Sequence, residues 1–282
     1  MSRHRTPQRG MGGYGRRPRS AFKMRLIIAL VMGGFALISY FKSARYNEVT
    51  GEKQYISLTP NQEIALGLQA APEMVHQHGG LYLDRKAQAL VDRVGQTLVN
   101  KSAAGDTQWQ FDFHLLADPE TVNAFALPGG QIFITAALYQ RLKSEGQLAG
   151  VLGHEIGHVV ARHGAQRIAK GDLTKGLIGA VVTASGDYNT SRVAGMVGNL
   201  INMKYGRDDE LESDELGVRF LGKAGYDPRA LIGVMKILAE ANRGQKPPEF
   251  MSTHPSSGNR VDTIKAAIQK HYPNGLPQGL IQ

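Results

Sequence analysis

The stretch "GHEIGH", Gly153 to His158, constrains the fold most, because it places two histidines four residues apart inside an apolar segment. Residues four apart on an α-helix project within about 40° of each other, so His154 and His158 direct two imidazoles to one point. Glu155 lies about 100° further round and can reach a water held there. A pair of hydrogen-bonded core histidines is the alternative, but such buried polar groups are costly without partners. The pattern therefore predicts a zinc-binding helix.

A catalytic zinc ion needs a third protein ligand and an open fourth position. One class of enzymes supplies a third histidine in the pattern H-E-x-x-H-x-x-G-x-x-H. Here Ala161 and Gly164 occupy the glycine and histidine positions, which excludes that class. His163 would point about 140° away from His158 on a continuous helix, so we expect it to be structural or solvent-exposed. The third ligand must come from elsewhere in the chain.

The acidic run at 208–215 is the best source of that ligand. Glu210 and Asp214 are four residues apart and share one face of the predicted helix. Acidic residues are also common in the first turn of a helix, because they interact favourably with the helix dipole. The spacing alone therefore does not choose among the acids of this run.

The N-terminal region combines a basic tail with an apolar segment. Residues 1–25 carry eight positive charges and no acid, which accounts for most of the net charge of +9. The uncharged segment from Leu26 to Phe41 spans about 24 Å as a helix, close to the ~30 Å core of a bilayer. We predict a signal anchor over 26–42 with the tail 1–25 in the cytoplasm. Cleavage, with release of the body into the periplasm, is the alternative.

Two features of composition limit the possible partners and cofactors. The tail contains "RGMGGYGRR", an Arg-Gly pattern that also occurs in nucleic-acid-binding proteins. Because the tail and the apolar segment together form a topogenic signal, we expect no nucleic-acid partner. The chain has no cysteine, which excludes disulfides, thiolate zinc ligands and a lipidated N-terminal cysteine.

The body alternates helical and strand patterns without an internal repeat, which predicts an α+β fold, mostly helical with a small β-sheet. "TPNQ" at 59–62 has the form of a capping box with proline at the first helical position. Ser144 and Gln147 form a second capping box, and we predict a long helix from there to about Lys170. Further predicted elements are helices at 86–100, over "GRDDELESDELGVRFLGKAG" at 206–225 with Gly225 as its C-cap, at 228–242 and from 259, and strands at 109–116 and 131–135.

Together these motifs resemble the zinc metallopeptidases grouped with the CAAX prenyl protease. The resemblance rests on "HEIGH" at 154–158, "ELESD" at 210–214, "KAGYDP" at 223–228 and "THPSSGNR" at 253–260. The branch of mitochondrial Oma-type and bacterial periplasmic quality-control peptidases is most similar. The single hydrophobic segment argues against prenylated-protein processing. The resemblance implies a zincin-like peptidase domain over 47–272, with 273–282 as a C-terminal tail.

The resemblance also implies roles for individual residues. The family's E-x-x-x-D motif falls on Glu210 and Asp214, which implies Glu210 as the third zinc ligand beside His154 and His158. Asp214 is implied to orient a zinc histidine, whereas Glu212 is implied to have no part in the site.

The remaining implied residues lie around the substrate. His254, in the family's His-Pro pair, is implied to sit over the site, where it either polarises the oxyanion or caps the zinc as an inhibitory fourth ligand. The strand Gln131–Thr135 is implied to be an edge strand that accepts substrate as an added strand. The implied substrate-binding residues are Asn123, Ala124, Gln131, Ile132 and Phe133.

These observations predict a membrane-anchored metalloendopeptidase with one Zn²⁺ per chain. It would hydrolyse peptide bonds of misfolded or unassembled envelope proteins by Glu155-assisted attack of zinc-bound water. Its body would lie in the periplasm, attached to the cytoplasmic membrane by one helix. A chaperone or assembly factor that binds peptides and rarely cuts them is the alternative, and a membrane protein that binds nucleic acid through its tail is a further rival. The sequence leaves the oligomeric state open.

Overall fold

The computed structural model of the protein describes residues 19–185, 205–242, 248–254 and 258–282. Most of the predicted basic tail lies outside the described residues. Pro255 also lies outside the described residues. So do residues 186–204, which belong to a segment at 171–204 that is rich in small and apolar residues and is interrupted by the polar stretch "SGDYNTS".

Helices dominate the described residues, and the predicted α+β class with a small sheet is confirmed. The helices are α1 Arg19–Lys42, α2 Pro60–Gln77, α3 Arg85–Lys101, α4 Ala136–Tyr139, α5 Glu145–Val160, α6 His163–Ser185, α7 Arg207–Ala224, α8 Ala230–Ala241, α9 Glu249–Thr253 and α10 Arg260–His271. The strands are β1 Ala44–Tyr46, β2 Lys53–Tyr55, β3 Asp112–Leu116, β4 Ala124–Ala126 and β5 Gln131–Thr135.

Helix α1 carries the predicted anchor. In the described part of the chain it is the one helix long and apolar enough to cross a membrane, and only 6% of its span from Phe22 to Lys42 is buried. The β1–β2 hairpin follows directly. Asn47 Nδ2 donates to Val160 O at 2.8 Å, and Gln54 Nε2 donates to Ala161 O at 2.7 Å. The hairpin thereby satisfies carbonyl groups at the C-terminal end of α5, which a helix leaves without internal partners.

The main sheet has the order β3-β5-β4, with β5 parallel to β3 and antiparallel to β4. The expectation that Gln131–Thr135 is an edge strand is therefore wrong. This strand is central, and all five of its residues are buried. Its backbone groups already pair on both sides, so Gln131, Ile132 and Phe133 cannot receive a substrate strand. The free edge on the β4 side belongs to Ala124–Ala126.

The core forms where α3, α5 and α7 pack together and the sheet closes against α3 and α5. Ile156 and Leu152 of α5 are fully buried in it, as are Val94 of α3 and Ile134 of β5. Burial of such side chains stabilises a fold by about 1.5–3 kcal/mol each. Helix α5 is buried at almost every position from Gly146 to Val160, which explains why its sequence lacks a polar face.

The local signals for helix ends are confirmed where the chain is described. Thr59 caps α2 in a full capping box with Gln62, and Gly225 ends α7 with a left-handed φ of 88°. Ser144 caps α5, but the side chain of Gln147 accepts from Lys143 N rather than completing a box with Ser144.

The prediction of one helix from 144 to 170 is wrong. Arg162 takes a left-handed φ of 57°, so α5 ends at Val160 and α6 starts in a new direction at His163. Arg162 is held in this conformation by a buried ion pair with Glu63 and by its position over the Trp109 ring. Tertiary contacts therefore stabilise a backbone state that arginine rarely adopts.

Residues 273–282 pack on the body instead of forming a tail. Asp227 N donates to Ile281 O at 2.8 Å, and Gly146 N donates to Gln282 O at 2.9 Å. These bonds join the chain's last residues to the start of both α5 and α8.

Candidate metal centre

Glycines set the crossing of the two helices that carry the predicted ligands. A Cβ on Gly157 would lie 3.0 Å from the carbonyl oxygen of Ser213, and one on Gly153 would lie 2.7 Å from a Leu221 methyl group. Gly217 of α7 faces the backbone of α5 at Gly153 and His154. Small residues let helix backbones approach closely, so the first half of α7 lies directly against the histidine motif.

This approach brings together four side chains that are distant in sequence. Ligand atoms of His154, His158, Glu210 and His254 all lie within 4.8 Å of one another, and each residue is 2% exposed or less. Nε2 of His154 lies 3.4 Å from Glu210 Oε2, and Nε2 of His158 lies 3.5 Å from Glu210 Oε1. Both imidazoles thus direct the same nitrogen toward the same carboxylate.

The far side of His154 contacts a charged pair. Asp214 Oδ1 lies 3.0 Å from Nδ1 of His154, and Arg260 binds both oxygens of Asp214 at 2.7 Å. Arg260 Nη1 also lies 3.0 Å from Glu210 Oε2. Burial alone would lower the pKa of His154, but its hydrogen bonds to Asp214 and Glu210 outweigh this and raise the pKa to about 9.

The far side of His158 contacts another histidine. Nδ1 of His163 lies 2.9 Å from Nδ1 of His158, and Nε2 of His163 lies 3.0 Å from Glu212 Oε2. Burial lowers the pKa of His158 well below its usual value, and the hydrogen bond to Glu210 offsets this only in part. The ring of Tyr205 stacks on His158 at a centroid distance of 4.0 Å.

Glu155 is buried beside the four-residue cluster with neither oxygen hydrogen-bonded to any described residue. Nε2 of His254 lies 3.7 Å from its Oε1. Burial raises the pKa of the Glu155 carboxyl. A buried carboxylate without a partner is costly, so this residue is suited to accept a proton.

The donor set fits a divalent cation. Among the described residues, the buried charged groups at this point are Glu155, Glu210, Asp214 and the single guanidinium of Arg260. A histidine must be neutral to bind a metal, and with the imidazoles neutral, three ionised carboxylates exceed one guanidinium by two negative charges, which a divalent ion would balance. Two imidazoles and one carboxylate are also a common ligand set of catalytic metal sites.

Comparison with known proteins agrees with this geometry. Residues 85–268, which include the motif helix, Glu210 and Arg260, match the sequence profile of peptidase family M48. The chain belongs to peptidase family M48. It is therefore a metallopeptidase, and the family together with the buried cluster indicates a bound metal ion.

Two relatives give the extent of the M48 similarity. The chain is 30% identical to the mitochondrial metalloendopeptidase OMA1 of Schizosaccharomyces pombe, over 84% of this chain and 69% of that protein. It is also 30% identical to the beta-barrel assembly-enhancing protease of Yersinia pestis, over 77% of this chain but 46% of that protein. The chain thus spans less than half the length of the Yersinia relative it matches.

The M48 site is closed in this structure. His254 stacks on Phe250 at a centroid distance of 4.3 Å, and its Nδ1 lies 3.0 Å from Glu210 Oε1. His154, Glu155, His158, Glu210 and His254 are each 2% exposed or less, so a peptide cannot contact them in this conformation. Access for a substrate therefore requires that α9 and His254 move.

Sequence reasoning missed two residues of the M48 site. Arg260 stood in the quoted "THPSSGNR" without a role, although the chain needs a cation to neutralise acids buried beside a metal. His163 points away from His158 only if α5 and α6 form one continuous helix. The turn at Arg162 reverses that outcome and buries His163 against the motif.

Proposed function

We propose that the chain is a membrane-anchored zinc metalloendopeptidase in which His154, His158 and Glu210 hold the ion. The observation that carries the proposal is the unpartnered, buried Glu155 beside a convergent set of two imidazoles and a carboxylate. When bound there, zinc polarises the scissile carbonyl and lowers the pKa of a coordinated water. Asp214 fixes the ring of His154, and Arg260 fixes Asp214.

Glu155 acts as the general base in this proposal. It accepts a proton from the attacking water as the new C–O bond forms, and passes that proton to the leaving nitrogen as the C–N bond breaks. The raised pKa of its carboxyl suits both halves of the transfer.

Substrate would bind as an added strand along β4. Asn123 O accepts from Thr135 N, and Leu127 N donates to Gln131 O, so these residues face β5. In an antiparallel pair the residues between them, Ala124 and Ala126, direct their backbone groups to the free edge. The buried Oδ1 of Asn123 has no hydrogen-bond partner among the described residues and borders this edge.

His254 would act as a capping ligand that keeps the enzyme inactive until α9 moves. It supplies a fourth donor within the cluster, and Phe250 N, in the same helix, donates to Val122 O next to the substrate edge. Replacing His254 with alanine is therefore expected to raise casein cleavage. A large fall in kcat with metal content unchanged would assign His254 to the oxyanion instead.

The substrates are polypeptides, and we propose misfolded or unassembled envelope proteins as their class. One relative carries the name beta-barrel assembly-enhancing protease, and the apolar α1 after a basic segment favours an inner-membrane anchor with the body in the periplasm. The closed site also favours the second candidate function, a chaperone that seldom cuts.

Metal content and cleavage test the function. Purified full-length protein should contain one zinc per chain and cleave casein. A chelator such as 1,10-phenanthroline should abolish cleavage, and added Zn²⁺ should restore it. Glu155→Gln should keep the zinc and lose about 10²–10⁴-fold in activity, whereas Glu215→Gln, an exposed acid bound to Lys270, should change neither.

Two results would contradict the proposal. Full activity in Glu155→Gln would remove that residue as the base. An inactive Glu155→Gln variant that still complements a deletion strain would favour the chaperone.

A further inference from the structure

Helix α6 packs along α1 through small residues. A Cβ built on Gly33 would lie 3.6 Å from the Cβ of Ala180, and one built on Gly176 would lie 2.7 Å from the Cβ of Ala36. Gly33 contacts Ala180, whereas Ala36, which is later in α1, contacts Gly176, which is earlier in α6. The two helices are therefore antiparallel. This close approach through glycine and alanine is typical of helix pairs in membranes.

The C-terminal part of α6, from Gly176 to Ser185, is uncharged and mostly apolar, like the central part of α1. No charged residue occurs from Gly176 to Ser185. Leu177 and Val181 are exposed, at 36% and 56%, and Leu177 lies at the margin of the contact with α1, with its Cδ2 4.0 Å from a Cβ built on Gly33. The hydroxyl of Thr183 donates to Gly179 O at 2.8 Å, so this polar side chain is satisfied within the helix. An apolar bilayer core requires such internal satisfaction.

The polar boundary of α6 lies about five residues inside that of α1, because Lys175, 77% exposed, falls opposite Leu37. Counted back from the contact between Gly176 and Ala36, Lys170 of α6 lies opposite Lys42 of α1. At that level the ring of Tyr40 stacks on Tyr55 at 4.8 Å. Tyrosine and lysine side chains concentrate at the membrane–water interface. Lys175 thus lies about 7.5 Å below the level of Lys42, a depth from which a lysine side chain can extend to the lipid headgroups.

We propose that residues Gly176–Ser185 of α6 lie in the bilayer beside α1, with Leu177 and Val181 facing lipid acyl chains. This inference rests on the membrane attachment in the proposed function. The segment extends about 15 Å along the helix axis, roughly half of the ~30 Å apolar core. The helix that starts at His163, beside a proposed metal ligand, thus continues into the membrane.

A disulfide tests the packing of α6 on α1. The chain contains no cysteine, so an engineered pair is unique. The 3.6 Å between Cβ positions suits a disulfide in a Gly33→Cys, Ala180→Cys double variant. In a Gly34→Cys, Ala180→Cys control the first position has no atom within 4 Å. The first pair should cross-link in native membranes under mild oxidation and the control should not; equal or absent cross-linking overturns the inference.

Single cysteines test whether α6 contacts lipid. Full-length Val181→Cys protein in phosphatidylethanolamine–phosphatidylglycerol vesicles should react with a membrane-impermeant maleimide at least about tenfold more slowly than Leu83→Cys, since thiol reactivity depends on access. Leu83 is 93% exposed on the body. A bimane label at position 181 should be quenched by brominated acyl chains, and one at position 83 should not.

Leu37→Cys on α1 separates the two possible failures. If position 37 is protected while position 181 reacts as fast as position 83, α6 lies in water and the inference is overturned, while the anchor stands. If position 37 also reacts freely, the membrane attachment itself is wrong. Casein cleavage by each variant shows that it has folded.

Discussion

His154 and His158 lie one turn apart on the same helix, yet the two halves of the site hold them by different chemistry. His154 rests on a charged network in which Asp214 and Arg260 are both fully buried. His158 rests on a second imidazole, His163, whose other nitrogen reaches the partly exposed Glu212. The result is opposite pKa shifts, upward for His154 and downward for His158.

The difference teaches that the H-E-x-x-H spacing determines where the two rings are but not how each is held. Ring orientation and basicity depend on groups that the rest of the fold supplies. One half uses buried charges, which are strong but costly to disrupt. The other uses a second imidazole and the partly exposed carboxylate of Glu212, which lies closer to solvent. Three substitutions test this contrast.

The largest effect is expected on the charged half. Asp214→Asn removes the charge that pairs with Arg260 and orients His154, so we expect unfolding stability to fall by about 3 kcal/mol and metal affinity to fall about 10–100-fold. Urea unfolding and competition with a chromogenic chelator measure the two quantities. Asp227→Asn is the matched control, because Asp227 is also buried and paired with an arginine but lies away from the cluster. It should lose stability alone; equal losses of metal affinity in both variants would refute the orienting role.

A smaller effect is expected on the half that holds His158 through His163. His163→Phe removes the partner of His158 Nδ1, and we expect metal affinity to fall by about tenfold with little change in stability. His163→Gln retains a hydrogen-bonding group and should recover part of that loss, which a purely structural role would not predict. His78→Gln, a histidine paired with Asp118 outside the site, serves as the control. A stability loss as large as that of Asp214→Asn would remove the contrast between the halves.

The smallest effect is expected from Glu212→Gln. Its side chain is 27% exposed and acts on the site only through His163, so the loss in metal affinity should be under about 1 kcal/mol, or a few-fold. Isothermal titration with Zn²⁺ resolves a change of this size. If Glu212→Gln weakens binding as much as Asp214→Asn, Glu212 orients the site as strongly as Asp214 does, and the contrast between the two halves is wrong.

Short-range sequence signals predicted much of this molecule. Helix caps at Thr59 and Gly225 and the strand at 131–135 depend on local hydrogen bonds and backbone freedom, and they lie where the sequence placed them. The position of the imidazole pair was predicted for the same reason, because two residues four apart on an α-helix always project in nearly the same direction. The roles of Glu210 and Asp214 came from a family resemblance, since spacing alone did not choose among the acids.

Long-range contacts explain what the sequence did not predict. The left-handed turn at Arg162 depends on Glu63, about a hundred residues earlier, so no local signal marks it. Strand order is likewise a property of the whole sheet, and β5 became central because β3 and β4 pair with it on opposite sides. Arg260 acquires its role only when α10 folds beside α7.

The side-chain amides of Asn47 and Gln54 have a consequence for where the enzyme cuts. They bond the hairpin that follows α1 to the last carbonyls of the motif helix, so Glu155 keeps a fixed distance from the C-terminal end of α1. With α1 in a bilayer, the site would lie at a fixed height above the lipid headgroups. The distance of a peptide bond from the membrane would then decide where cleavage occurs more than the amino acids that flank the bond.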